Sequence, residues 1–426
     1  MTPPEEIHHG LITIGTSGLI RRMDQRLDLV SRLLSEIQAN ALDRIDAEIA
    51  RRFLKNPDSV DLSVYKILDD DAAEILADCE NRHYEGVYRG GDLLLRGLTR
   101  LSDNAAEALS RHKGSAYLDG LTSLSAQATE ALSRHQGWTL SLSGLTSLDD
   151  QAAKTLSSHQ GNSLYLDGVT SLSDQAAEAL SRYQGNLLSL NGLTSLSGQA
   201  AEALSRHKKR SLLLSGLTSL SDQAAEALSK PNGYLLLNGL TSLNDHAATA
   251  LSRHQHSLVL RGLTILSDKS ATALAGYEGT LSLPGLTSLS DNAQEAFSDF
   301  RGDGLSLSGL TSLNTQAAEA FSRFKGKNLC LFGLTNLSDK AAEALSGFQG
   351  YSLNLYGVPG LSEKGELKLL KRKGNNLFLF GLTNLSDQAA EAFSRFEGEG
   401  LNLYSLTNLS DKAAKALSQH KNFRCY

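Results

Sequence analysis

The chain is predicted to be an α/β solenoid, a parallel sheet of short strands with one short helix behind each strand. Three observations predict this. The tripeptide Gly-Leu-Thr, or a near copy, returns every 23 or 24 residues, with anchor glycines from Gly97 through Gly144 and Gly262 to Gly381 and Ser405 in the last slot. Leucines alternate with polar residues just before each anchor, and a polar cap with an Ala/Leu run at helical spacing follows it. A fixed period of this length marks an architecture in which each unit buries its apolar face only against its neighbours.

The stretch Leu140–Gly161 shows one unit. Leu140 and Leu142 alternate with serines, the period of a strand with one buried face. Gly144 lets the chain turn close to its neighbour, and Leu145 and Leu148 return to the interior. Asp149-Asp150 opens a helix whose Ala152, Ala153 and Leu156 recur at helical spacing, and Gly161 is expected to end it. The cap position, from Ser102 and Ser125 through Asp149 and Asn244 to Ser410, holds Ser, Asp or Asn in all fourteen units. Each such side chain accepts a hydrogen bond from an unpaired first-turn amide, worth about 1 kcal/mol. An acid often follows, as in Asp103 and Asp174, and favours the positive end of the helix dipole.

The consensus L-x-L-S-G-L-T-x-L-S-D-x-A-A-E-A-L-S-x-H resembles a leucine-rich repeat of bacterial look, nearest the cysteine-containing or ribonuclease-inhibitor-like subtypes, over about residues 60–420. That resemblance implies a right-handed horseshoe with a concave parallel sheet and convex helices. The family's ladder Asn or Cys is Leu here (Leu98, Leu145, Leu193), while Thr fills the next position in thirteen of fourteen units. The threonine hydroxyl is expected to take over the ladder.

A worn copy at Val60–Leu76 aligns with Leu93–Leu109 at an offset of 33, which places an insertion around Cys79–Tyr88. Before it, Leu27, Val30, Leu34, Ile37, Ala41, Ile45, Ile49 and Phe53 step by three or four, predicting an amphipathic helix over roughly 23–55 that Asn56-Pro57 stops. The expected division is a flexible segment 1–22, a helical cap 23–58 and the repeat array 59–426, about 15 units. Only Gln419–Tyr426 follows the last helix, so the final strand edge is expected to lie open, a route to a homodimer.

The net charge is −6, with 41 basic and 47 acidic residues, which argues against nucleic acid and anionic membranes as partners. Cys79, Cys330 and Cys425 lie far apart without a CxxC pair, fitting a reducing compartment. No Sec-type signal or membrane-length apolar run is visible. The expected location is the cytoplasm, with export lacking a cleaved signal as the alternative.

His112, His135, His159, His207, His254 and His420 share one post-helix slot with Tyr183, Tyr277, Phe300, Phe324, Phe348 and Phe396. A slot that accepts Phe wants a flat ring for packing, so no metal site is expected there. No HExxH, GxSxG, Walker or dinucleotide motif stands in a suitable context, and the serines and acids are spent in caps and turns. No catalytic residue and no cofactor is expected. The basic runs His207–Arg210 and Lys364–Lys373 read as solvated surface.

Fifteen strands about 4.8 Å apart make an inner arc on the order of 70 Å, long enough to embrace a protein domain. One outward column of that face ends in Phe332, Tyr356, Phe380 and Tyr404 with Phe378 beside them, and Tyr117, Asp119, Tyr165 and Asp167 form a smaller group. An aromatic row exposed on a sheet marks an interface or a stacking ladder. The expected function is therefore a non-catalytic scaffold binding a protein partner on its concave face. The alternatives are an exported bacterial effector using the same face on a host protein, and a carbohydrate-binding module.

Overall fold

The computed structural model of this 426-residue chain describes residues 43–79, 91–207, 210–230, 233–370, 376–396, 400–403, 405–419 and 423–424. Fifteen strands, from β3 (Leu93–Leu94) to β17 (Phe423–Arg424), form one sheet in strict sequence order. Every pairing is parallel, because each helix carries the chain back to the same end before the next strand starts. The register advances by one repeat per strand, so Leu140, Leu164, Leu188 and Leu212 stack in one buried column. This is a leucine-rich-repeat solenoid.

The helices of the repeats are only seven or eight residues long, as in Asp174–Leu180 and Asp103–Ser110. Helices of that length do not persist alone in water. Their alanines and leucine (Ala176, Ala177, Ala179 and Leu180 in one unit) are buried against the neighbouring units, and full burial of a leucine contributes about 1.5–3 kcal/mol. All fourteen expected cap side chains accept from an amide in their own helix. Many also donate to the first acid of the preceding repeat: Ser267 Oγ lies 2.5 Å from Asp245, and Asn244 Nδ2 lies 3.0 Å from Asp222. Each cap thus ties two repeats together. On the solvent side, Arg206–Glu178, Lys230–Glu202 and Arg253–Glu226 pair at 2.7–2.8 Å between repeats, exposed contacts worth at most about 1 kcal/mol each.

The anchor glycines work through close approach. A Cβ on Gly144 would lie 2.6 Å from the Leu121 carbonyl oxygen of the preceding repeat and closer still to that of Asp119. The threonine ladder forms as expected at several units: Thr335 Oγ1 donates to Thr311 O at 3.2 Å and Thr383 Oγ1 to Pro359 O at 3.2 Å, with the backbone amides alongside. Gly161 does not end its helix. That helix stops at Leu156, and among the described residues only Gly91 and Gly233 have positive φ. Gly161 instead lets the return loop lie against the Gly137 carbonyl, 2.5 Å from where a Cβ would sit.

The expected helix over 23–55 is interrupted. Arg44–Ile45 is a strand, β1, paired in parallel with β2 (Ile67–Leu68), and a new helix, α1 (Ala47–Lys55), starts at the Asp46 cap. Asp46 stands 23 residues before Asp69, the corresponding position of the next unit, so the described N-terminal part already follows the repeat period. Residues 1–42, the insertion from 80 to 90, Lys208-Lys209, Lys371–Lys373, Tyr404, His420 and Cys425 lie outside the described residues. At the other end, Leu401 and Asn402 pair with Phe423 and Arg424. The strand Gly400–Asn402 thus carries a further strand of the chain's own, and Phe423–Arg424 forms the C-terminal edge of the sheet. Among the described residues, no helix is long and apolar enough to cross a membrane.

Candidate partner-binding face

Along each strand the leucines point into the core and the residues between them face outward from the sheet. The structure brings Phe332, Tyr356, Phe378 and Phe380 together across three adjacent repeats. Phe332 and Tyr356 stack with ring centroids 4.2 Å apart, and Phe380 meets Tyr356 edge-on at 4.1 Å. Phe378 lies parallel to Phe380 at 6.1 Å. All four rings are half-buried, each with part of its surface open to solvent. They form one continuous apolar patch, and ring pairs of these geometries contribute about 0.5–1.5 kcal/mol each beyond area burial. Beside them, Asn354 Nδ2 lies 3.0 Å from Cys330 Sγ, and burial pushes the Cys330 thiol up, away from the reactive thiolate.

The second predicted group is tied into the sheet. Asp119 accepts from Ser141 Oγ and from the Ser143 amide at 3.3 Å, and pairs with Arg96 Nε at 3.3 Å. The Arg96 guanidinium in turn sits 4.9 Å from the centre of the Tyr117 ring. Asp167 accepts from Ser189 Oγ at 2.5 Å and from the Asn191 amide at 2.9 Å. Burial, with Tyr117 and Asp167 nearby, pushes the Tyr165 hydroxyl up. These carboxylates spend their acceptor capacity on neighbouring strands, which fixes them in place.

The post-helix rings are interior. His112, His135, His159, Tyr183 and His207 form a buried stack with centroids 5.7–6.1 Å apart. Phe300 and Phe324 continue the motif at 5.5 Å further along. Tyr183 donates its hydroxyl to Gly161 O at 2.9 Å. Burial pushes His135 down to about 3 and His159 to about 4, so both rings are neutral at neutral pH.

One exposed group escaped the sequence reading. Trp138 stands immediately before the strand Thr139–Ser141 and is 68% exposed at the rim of the sheet. Its being the only tryptophan in the chain, next to a return loop of glycine and amides, was the available signal.

No family model matches the chain, and no curated protein sequence matches it. Similar solved structures include an internalin from Listeria monocytogenes, 17% identical with a TM-score of 0.45, covering 76% of this chain and 88% of that one. The complex of Toll with Spatzle from Drosophila gives 14% identity and a TM-score of 0.46 over 71% of this chain and 41% of that one. A TLR13–ssRNA13 complex gives 18% and 0.49 over 83% and 60%. The class of the fold follows from the repeat geometry itself.

Proposed function

We propose that this chain is a non-catalytic interaction scaffold that holds a protein partner on the concave face of its sheet. The observation that carries this reading is the patch of Phe332, Tyr356, Phe378 and Phe380, four half-buried rings joined across neighbouring strands. Partly exposed aromatic clusters at the centre of a rigid surface are the usual anchors of protein interfaces. The polar residues of the Tyr117–Asp167 group support the same reading from the other side, since their hydrogen bonds are internal and leave a stiff platform. In this reading the cytoplasm is the working compartment, and neither nucleic acid nor membrane is a partner.

Affinity capture from source-cell lysate tests the proposal. The bait is the wild-type chain beside a Phe332→Ser/Tyr356→Ser/Phe380→Ser variant shown by circular dichroism to be folded. A protein retained by wild type and lost by the variant is the expected result. Identical captures by both baits would remove the patch from the binding surface.

A further inference from the structure

We propose that a second site, the trough around Trp138, binds an extended, neutral, β-linked oligosaccharide laid along the repeat axis. It lies on the helix-to-strand returns of successive repeats, away from the aromatic patch, and is independent of the protein-binding reading. The trough encloses about 880 Å³, within the range of ligand sites of roughly 300–1,000 Å³.

Trp138 supplies the stacking surface. It is 68% exposed, yet its backbone is held by the Asn162 and Ser163 amides, which donate to its carbonyl at 2.8 and 3.0 Å. An exposed indole is an apolar face with a polar edge, suited to the C–H face of a sugar ring.

The floor is bare backbone. Gly137 and Gly161 rest against the carbonyls of Gly114 and Gly137, leaving no room for a Cβ. Gly114, Gly137, Gly161 and Gly185 line it in successive repeats without side chains, an unobstructed strip that favours an extended, ribbon-like β-linked chain over a coiled α-linked one.

The walls are amides held in place. Gln160 Nε2 donates to Ser158 O at 2.7 Å and Gln184 Nε2 to Arg182 O at 2.6 Å. Asn186 Nδ2 donates to Asn162 Oδ1, and Asn162 Nδ2 to Ser163 Oγ at 3.0 Å. Each amide keeps hydrogen-bonding capacity beyond these contacts. The charged lining residues, Asp92 and Lys113, have opposite sign, so the site offers a charged ligand no net attraction. Gln136, Gln160 and Gln184 recur once per repeat, beside rings that step by 5.7 Å and 6.1 Å, close to the length of one pyranose unit.

Trp138 being the only tryptophan, its fluorescence reports on this trough alone. The full chain is titrated to millimolar concentration with neutral β-linked hexaoses of the gluco, N-acetylgluco, manno and galacto series, with maltohexaose as the α-linked control. The expected result is a saturable emission shift with at least one β-linked probe and not with maltohexaose. By calorimetry, Trp138→Ala should bind that probe about tenfold more weakly, a loss of about 1.4 kcal/mol. The Phe332→Ser/Tyr356→Ser/Phe380→Ser variant should bind it as wild type does. Absence of a saturable shift with every β-linked probe, equal binding of maltohexaose, or undiminished binding by Trp138→Ala would each overturn the proposal. A shift produced only by a captured protein would overturn it as well, assigning the trough to a protein contact.

Discussion

The imidazole rings of His135 and His159 lie stacked 5.7 Å apart and 15° from parallel, both fully buried inside the solenoid. Burial holds their folded values near 3 and 4, while the unfolded chain keeps the ordinary value of 6.5. Above pH 6.5 both states carry neutral rings and the stack contributes in full. Below it the unfolded chain takes up protons that the fold refuses, so stability falls until the pH passes about 4 for His159 and about 3 for His135. The slope is about 1.4 kcal/mol per pH unit for each ring. Urea unfolding between pH 7 and 5 should show this loss, and His135→Phe/His159→Phe should reduce it, leaving the share of His112 and His254, which burial also lowers; phenylalanine serves in the same slot at Phe300 and Phe324. An unchanged slope in the double variant would refute the assignment.

The same chemistry gives the array a polarity. The histidine stack belongs to the N-terminal repeats and the phenylalanine stack to later ones. In a solenoid, stability is close to a sum over neighbouring units, so one part can loosen first. Hydrogen exchange at pH 5 against pH 7 should lose protection around His112–His159 before Phe300–Phe348. Uniform loss along the chain would contradict this.

Glu366 acts with the opposite sign. It occupies the core position held by Ala342 and Ala390 in the adjacent repeats, is only 3% exposed, and accepts from Ser386 Oγ at 3.1 Å. Burial pushes its carboxyl up to about 7 from 4.5. Its contribution is whole below pH 4.5 and is lost as the pH rises through about 7, because the fold must then hold a buried charge. Glu366→Gln should stabilise the protein by about 2–3 kcal/mol at pH 8 and hardly at all at pH 5. Thermal melts at the two pH values measure this. Equal effects at both would rule out the titration.

Two glycines of neighbouring repeats should respond differently to the same change. A Cβ on Gly333 would sit 2.8 Å from Leu310 O and closer to Ser308 O, whereas a Cβ on Gly360 would meet nothing within 4 Å. Gly333→Ala should destabilise by at least about 2 kcal/mol, as overpacking against backbone does. Gly360→Ala should be neutral or stabilise by a few tenths of a kcal/mol to about 1 kcal/mol. Denaturant midpoints for the pair decide it, and similar values would show that close approach is not what the anchor glycine serves.

Tyr356 joins the two halves of the aromatic patch, touching Phe332 and Phe380 at 4.2 and 4.1 Å. Tyr356→Ser should therefore cost about 1–3 kcal/mol of stability through two ring contacts. Phe378→Ser should cost less, since its rings lie 6.1 and 6.4 Å away. Chemical denaturation of both variants checks the order, and a larger loss for Phe378→Ser would overturn it.

Much of the fold was legible because repetition averages out local noise. The caps at Ser102, Asp149 and Asn244 each bond where the sequence places them, and the leucine register runs unbroken. The unit capped by Asp46 was hidden because Ile49 and Arg52 stand where alanines recur later, and the spacing of Ile45, Ile49 and Phe53 also suits a longer helix. The role of Gly161 was misread because a glycine's identity does not tell positive φ from a carbonyl pressed against its Cα. Of the candidate site, the aromatic column was legible. The edge-on and stacked contacts that join Phe378 to its neighbours were not, nor was the trough at Trp138.

By itself the sequence determined the period, the strand and helix of each unit, the caps and the buried leucine column, because each depends on residues within one repeat and its copy. Only the tertiary structure decided that Phe423–Arg424 adds the last strand to the sheet, that the cap serines reach the acid of the repeat before, and which rings touch. Those depend on how closely successive turns approach. The anchor glycines and bare carbonyls set that distance, and it becomes visible only when the repeats are stacked.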